Sequence, residues 1–420
     1  MKRILLSLAL LSVAFLSMAQ GAPALEVLKT DPRLAYGTDY PYLFRTTSLT
    51  KAPKGYKPFY ISHYARHGSR YYHNDRLYKA LDTLLNFSHE RHLLTPEGEA
   101  FYQAFEAAKP ELMTGIGELT QVGWDQHQAI ARTMYNRFPE VFRKGGDVLA
   151  VSSLTGRCVI SMSAFCQELE QCNPKIEIRE QSSRFTLDGV VPGDRNNNPA
   201  YREWPAAVPK MRKELFDSSD PVGEAIVART FTSLEGISDS VKDIAGRLVS
   251  MYTSLPSIGH EGMMGTLVSD EDIVNRWELD NLDTYSWVFA RRNRVIPIMR
   301  DILAKASDVV EGRSDRLADL RFGHDSYIGP LTVLMGINGA DTDPEDPYMV
   351  KEYYQNWETC KASNIQLVFY RNKSGDVLLK CLLNGSEVNL PVPTDNWPYY
   401  RWDSFRDFYT SRCDSLETSR

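Results

Sequence analysis

The stretch Pro58-Phe59-Tyr60-Ile61-Ser62-His63-Tyr64 is aromatic and β-branched, a composition that predicts a strand. It runs directly into Ala65-Arg66-His67-Gly68-Ser69-Arg70, so this polar cluster is expected on the loop leaving that strand. Helix formers dominate from Arg76 to Lys109. Thr120 is placed to cap a helix reaching about Phe138, in which His127, Ile130, Met134 and Phe138 recur every three or four residues. Asp147 to Ser152 reads as a second short strand, followed by Thr155-Gly156-Arg157 and a helix through Met162, Phe165 and Leu169. Residues 175–285 differ: the pattern is mostly helical, with Pro, Asn and Gly breaks such as Asp194-Arg195-Asn196-Asn197-Asn198-Pro199. The strand rhythm returns at Leu317 to Gly323, with His324-Asp325 ahead of a helical run from Ile328 to Met335. Asn364 to Tyr370 and Asp376 to Leu383 then flank Asn372-Lys373-Ser374-Gly375, which predicts a hairpin. The pattern therefore predicts an irregular leader (20–55), an α/β core in two parts (56–174 and 286–420) and an inserted, mostly helical cap (175–285). Catalytic groups are expected beyond the carboxyl ends of the strands.

The first residues carry a different pattern. Lys2 and Arg3 precede a nearly unbroken apolar run from Ile4 to Met18, and Ser17-Met18-Ala19 supplies small residues where a signal peptidase cuts. A cleaved secretory signal over 1–19 is expected, the run being short for a membrane span, with a periplasmic or extracellular mature chain. With 420 residues, 43% of them hydrophobic and 24% charged, the chain can bury a sizeable core, which excludes a disordered or fibrous protein. A formal charge of -6 argues against nucleic acid as its main partner. The six cysteines, Cys158, Cys166, Cys172, Cys360, Cys381 and Cys413, contain no C-x-x-C pair and are too sparse for a disulfide scaffold. Export would permit bridges such as Cys166–Cys172 or Cys360–Cys381, and free buried thiols fit equally well.

Two histidines end predicted strands beside other functional groups. Arg66 and Arg70 crowd the loop that carries His67, and guanidiniums held close repel one another unless an anion lies between them. Arginine suits bidentate capture of phosphate. A histidine between such cations is kept neutral, hence nucleophilic, and can attack phosphorus to form a phosphohistidine. At the second strand end, His324 can donate to a phosphoryl oxygen and Asp325 can protonate a departing alkoxide. Arg157, after the strand ending at Ser152, would complete the anion cage.

Ile61 to Arg70 resembles the signature of the histidine acid phosphatases. Leu119-Thr120-Gln121-Val122-Gly123 is similar to that family's Leu-Thr-x-x-Gly segment, Ser152 to Phe165 to the segment holding its third phosphate-binding arginine, and His324-Asp325 to its proton-donor motif. The order and spacing hold over about residues 55–390. The resemblance implies a phosphoglycerate-mutase-like α/β/α sandwich with an α-helical cap, and two-step hydrolysis of phosphomonoesters without a metal or other cofactor. It makes His67 the nucleophile, gives phosphate binding to Arg66, Arg70, Arg157 and His324, and makes Asp325 the general acid. Arg321-Phe322-Gly323-His324 and the hairpin ending Leu382-Leu383-Asn384 resemble the multiple inositol polyphosphate phosphatase branch. Two features depart from the pattern. Tyr72 stands where the family usually has proline, and His-Asp replaces the His-Ala-Glu usual in that branch, as in the wider acid phosphatases and phytases.

The substrate expected is thus a small phosphomonoester, an inositol polyphosphate such as phytate or, alternatively, a sugar phosphate or a broad range of esters. A non-catalytic phosphate-binding protein is the reading from a different class. A negative chain repels a polyanion at long range, so local cations must attract it; Lys51, Lys54, Lys57, Arg76, Arg195 and Arg202 are candidates for the rim. Other signals fall away. His63 and His67 lack an accompanying carboxylate motif for zinc, His89-Glu90-Arg91-His92 is not H-E-x-x-H, and Gly115-x-Gly117 is no dinucleotide fingerprint. Trp397, Tyr399, Tyr400 and Trp402 read as a packed C-terminal segment rather than a sugar platform.

Overall fold

The computed structural model describes residues 23–42, 44–45, 47–193, 210, 213, 220–343 and 346–418. The expected signal segment, the loop 194–199 and the candidate rim residues Arg195 and Arg202 lie outside them. One mixed sheet organises the rest. Four strands are mutually parallel, in the order β3 (Ile176–Gln181), β2 (Gly146–Ser152), β4 (Ala318–Gly323) and β1 (Lys57–Arg66). The sheet continues through β5 (Asn364–Arg371), antiparallel to β1, and its hairpin partner β6 (Val377–Leu383), with the two-residue strands β7 (Ser386–Glu387) and β8 (Tyr400–Arg401) on β6.

Alternation along β1 decides which helices each face receives. Tyr60 and Tyr64 join one apolar cluster, packed under α8 (Ile296–Val310), α9 (Asp325–Met335) and α10 (Trp402–Thr418). Ile61 and Ala65 point the other way, into a cluster with α3 (Gln121–Arg137) and α4 (Gly156–Cys172). This is the expected sandwich of helices on both faces of an α/β sheet. Thr120 caps α3 as its position predicts, accepting from the Gly123 N–H at 3.3 Å.

A third cluster joins α1 (Arg76–Glu90) and α2 (Pro96–Thr114) to α5 (Pro221–Thr230), α6 (Val241–Ile258) and Trp277 of α7 (Asp270–Ala290). The helical layer thus draws on residues ahead of the expected insertion as well as inside it, because the apolar faces of α1 and α2 need α5 and α6 to cover them. The range assigned to the cap also begins one strand early: β3 pairs with β2 inside the main sheet. The leader contains the short helix Ala24–Thr30 and a 3₁₀ stretch Pro32–Asp39, whose Leu28, Leu34 and Ala35 are buried in the same third cluster. All six cysteines are free thiols, five of them buried. No helix among the described residues is long and apolar enough to cross a membrane.

His63 packs its ring between Phe165 and Phe322, and His127 against Phe322. Burial pushes both imidazoles down to about 3. In the unfolded chain each returns to about 6.5, where it binds more protons than the folded form, so stability falls as pH drops from about 6.5 toward 3. The variant His63→Met should therefore lose about 2–3 kcal/mol less than the parent between pH 7 and pH 4.5. Chemical denaturation at the two pH values checks this, and equal losses would remove His63 from the acid sensitivity.

Candidate active site

Parallel pairing brings the chemistry together. Arg66 is in register with Gly323, so His67 and His324 leave neighbouring strands side by side, and the His67 N–H donates to the Gly323 carbonyl at 3.0 Å. On the other side of β4, Ser152 is in register with Phe322, which carries Arg157 to the same edge on the first turn of α4. The carboxyl ends of three adjacent parallel strands thus supply His67, Arg157 and His324-Asp325, as open α/β sheets do for their ligands.

His67 is buried, and its Nδ1 lies 2.9 Å from the Gly68 carbonyl. A carbonyl only accepts, so Nδ1 carries the proton and Nε2 keeps a lone pair. Burial first, then Arg66, Arg70, Arg157 and His324, hold the imidazole well below its ordinary pKa. The His324 ring centre is 5.5 Å away. Its Nε2 lies 3.1 Å from the Ser153 hydroxyl, and burial and Arg157 push it down to about 4.

Each arginine is tied by part of its fork. Arg66, 1% exposed, donates through Nη1 to the Thr38 and Thr359 carbonyls and through Nη2 to Asp325 Oδ2 at 2.8 Å. Arg70 donates to the Tyr71 carbonyl at 2.9 Å, and Arg157 to the Gly117 carbonyl at 3.3 Å. The Nε of all three is buried without a partner. Asp325 opens α9; its Oδ1 accepts from the Ser326 N–H at 2.7 Å. Burial alone would raise its pKa, but Arg66, Lys361 and Arg70 outweigh that and hold it far below the carboxylate range. One imidazole with a free lone pair, three guanidiniums and one carboxyl form a place for an anion.

The Leu-Thr-x-x-Gly segment has a clear task here. A Cβ on Gly68 would lie 2.4 Å from the Gly123 carbonyl oxygen, and one on Gly123 would lie 2.3 Å from the Ser69 carbonyl oxygen. The N-terminus of α3 therefore abuts the His67 loop backbone to backbone. Thr120 donates from both its N–H and its hydroxyl to the Ser69 carbonyl, at 3.0 and 3.1 Å. Gln126 accepts from the Ser69 N–H at 2.9 Å, and Ser161 accepts from the Gly68 N–H at 3.1 Å. Sequence reasoning missed Gln126 and Ser161, whose only linear signal is a polar residue on an otherwise buried helix face. It also missed Asp39 and Lys361, which meet beside Arg66 in an ion pair of 2.5 Å.

The candidate rim fares differently. Lys57 begins β1 and pairs with Arg371, at the end of the sheet opposite His67; nine strand rises of about 3.3 Å separate it from Arg66. Lys51 and Lys54 are exposed in the segment leading into that same end, and Arg76 is exposed at the start of α1. Tyr399, Tyr400 and Trp402 are buried and Trp397 is half exposed, around β8, whose partner Leu378 lies toward that far end. Among the described residues no group of three or more His, Cys, Asp or Glu is placed to hold a metal ion.

Residues 64–213 match the profile of the histidine phosphatase superfamily (branch 2). The chain resembles that superfamily over this segment. Its fold is shared by the multiple inositol polyphosphate phosphatase of Bifidobacterium longum, solved with inositol hexasulfate: TM-score 0.72, 19% identity, covering 88% of this chain and 96% of that one. The phytase of D. castellii superposes with a TM-score of 0.65 at 15% identity, covering 91% and 85%. For the Hafnia alvei phytase with tartrate the values are 0.59 and 13%, covering 86% and 99%. No curated protein matches the chain by sequence.

The Gly68–Gly123 contact yields a sharp expectation. Gly68→Ala must displace the His67 loop by about 1 Å, enough to lower turnover about a hundredfold. A steady-state assay against p-nitrophenyl phosphate checks it; wild-type turnover would mean that the loop tolerates the shift.

Proposed function

We propose that this protein is an exported phosphomonoester hydrolase that acts through a phosphohistidine and takes inositol polyphosphates, phytate among them, as substrates. The observation that carries the reading is the neutral His67 imidazole ringed by Arg66, Arg70 and Arg157 at the strand ends. The apolar run at 4–18 supports export, with signal cleavage after Ala19 and a periplasmic or extracellular destination. The inositol substrate is supported by the shared fold with proteins named for inositol polyphosphates and phytate.

In the first step His67 Nε2 attacks phosphorus, an N–P bond forms and the ester P–O bond breaks. Arg66, Arg70, Arg157 and His324 hold the three peripheral oxygens and spread their charge. Asp325 enters ionised, paired with Arg66. A bound phosphate neutralises the cations that depress its pKa and adds negative charge beside it. Both effects raise the carboxyl so that it takes a proton from solvent or from the incoming phosphate monoanion, and the departing alkoxide takes that proton in turn. In the second step water attacks phosphorus, Asp325 accepts the proton from water, and the N–P bond breaks to release phosphate and neutral His67.

Purified mature protein is expected to release phosphate from inositol hexakisphosphate in the presence of EDTA, and His67→Ala to release none. Turnover restricted to glucose 1-phosphate and p-nitrophenyl phosphate would move the substrate class to general phosphate esters. Asp325→Asn should slow an alkyl phosphate about 100-fold or more, while p-nitrophenyl phosphate, whose leaving group needs little protonation, loses much less. Comparison of kcat on the two esters decides this, and equal losses would take the general-acid role from Asp325.

A further inference from the structure

Lys361 and Asp39 sit in the cationic cluster without a task in the hydrolysis described above. Lys361 is 2% exposed, just ahead of β5. Its ammonium bonds Asp39 Oδ1 at 2.5 Å and the Thr38 carbonyl at 3.3 Å, and its backbone N–H donates to the Tyr40 carbonyl at 3.0 Å. The Thr38 carbonyl also accepts from Arg66 Nη1. Lys361 and Arg66 together therefore hold Thr38-Asp39-Tyr40 against the phosphate-binding arginines.

The two ends of this ion pair are not equivalent. The ammonium is enclosed, whereas the Asp39 side chain keeps 34% exposure, much like the 32% of Asp325 in the same cluster. Lys361 takes Oδ1, and Oδ2 accepts no hydrogen bond among the described residues. Asp39 acts on Arg70 more strongly than Asp325 does, and it is felt by Tyr72 and His73 in the segment beyond. Burial opposes its charge, but Lys361, Arg70 and Arg66 overcome this and keep it ionised. The negative end is thus the one open to a group approaching from outside the cluster.

We propose that Asp39, fixed by Lys361, is a specificity-determining residue: its open oxygen accepts a hydrogen bond from a substrate hydroxyl next to the scissile phosphate and disfavours a second phosphate at that place. The proposal rests on the phosphatase reading and deepens it. On an inositol ring it makes a phosphate flanked by a free hydroxyl a better target than one flanked by phosphate.

Two esters that differ by one vicinal phosphate, 3-phosphoglycerate and 2,3-bisphosphoglycerate, test this apart from the inositol assignment. Asp39→Asn keeps an oxygen for Lys361 and removes the charge; the ratio of kcat/KM for the bisphosphate to that for the monophosphate should rise about five- to tenfold. Asp39→Glu retains the charge and should keep the ratio within about twofold of wild type. An unmoved ratio in Asp39→Asn, with both esters falling in parallel, would reduce Asp39 to a strap and overturn the proposal. Failure of the wild type on both esters and on inositol hexakisphosphate would overturn the phosphatase reading and this proposal with it, whereas failure on the glycerates alone would overturn only the proposal. Turnover of the glycerates but not of inositol hexakisphosphate would remove only the inositol assignment and leave the ratio to decide.

Discussion

Arg66, Arg70 and Arg157 are held around one buried imidazole against their mutual repulsion and against the loss of water. Removing a guanidinium from solvent costs several kcal/mol unless its N–H groups find acceptors. The carbonyls of Thr38, Thr359, Tyr71 and Gly117 and the carboxyl of Asp325 supply some of them, and the Nε atoms are left without any. The balance is incomplete, and the phosphate of the proposed substrate is an anion that would complete it. The same field keeps His67 neutral and Asp325 ionised, so the anion capture and the chemistry proposed for them would have one electrostatic origin.

Holding that cluster requires rigid surroundings, and the fold supplies them largely through backbone contacts. The parallel registers of β1, β4 and β2 set the spacing of the three strand ends. The glycine-to-glycine approach of the His67 loop and α3 leaves no room for the loop to wander. The segment ahead of β1 closes a further side, tied down by Arg66 and Lys361. A stretch that reads as an irregular leader is thereby part of the wall of the site.

The core elements were legible because their signals are local. The aromatic, β-branched composition of β1, the Thr120 cap and the hairpin around Asn372 to Gly375 each depend on neighbours within a few residues, and each appears where the pattern puts it. The helical layer was less legible. Nothing linear tells α1 and α2 that their apolar faces will be covered by α5 and α6, more than a hundred residues later, and the strand β3 hid inside a stretch otherwise patterned as helix.

For the proposed site, the sequence alone offered the candidate phosphate groups: Arg66, His67 and Arg70 at the end of one strand, Arg157 after another, His324-Asp325 after a third. Residue type and position after a strand are enough for that, since a strand end is a local event. Tertiary structure decided which of the other charges belong with them. It sent Lys57 to the far end of the sheet, because a strand separates its own two ends by its length. It brought Asp39 and Lys361 together beside Arg66, because only chain closure around β1 and β5 makes neighbours of residues so distant in sequence.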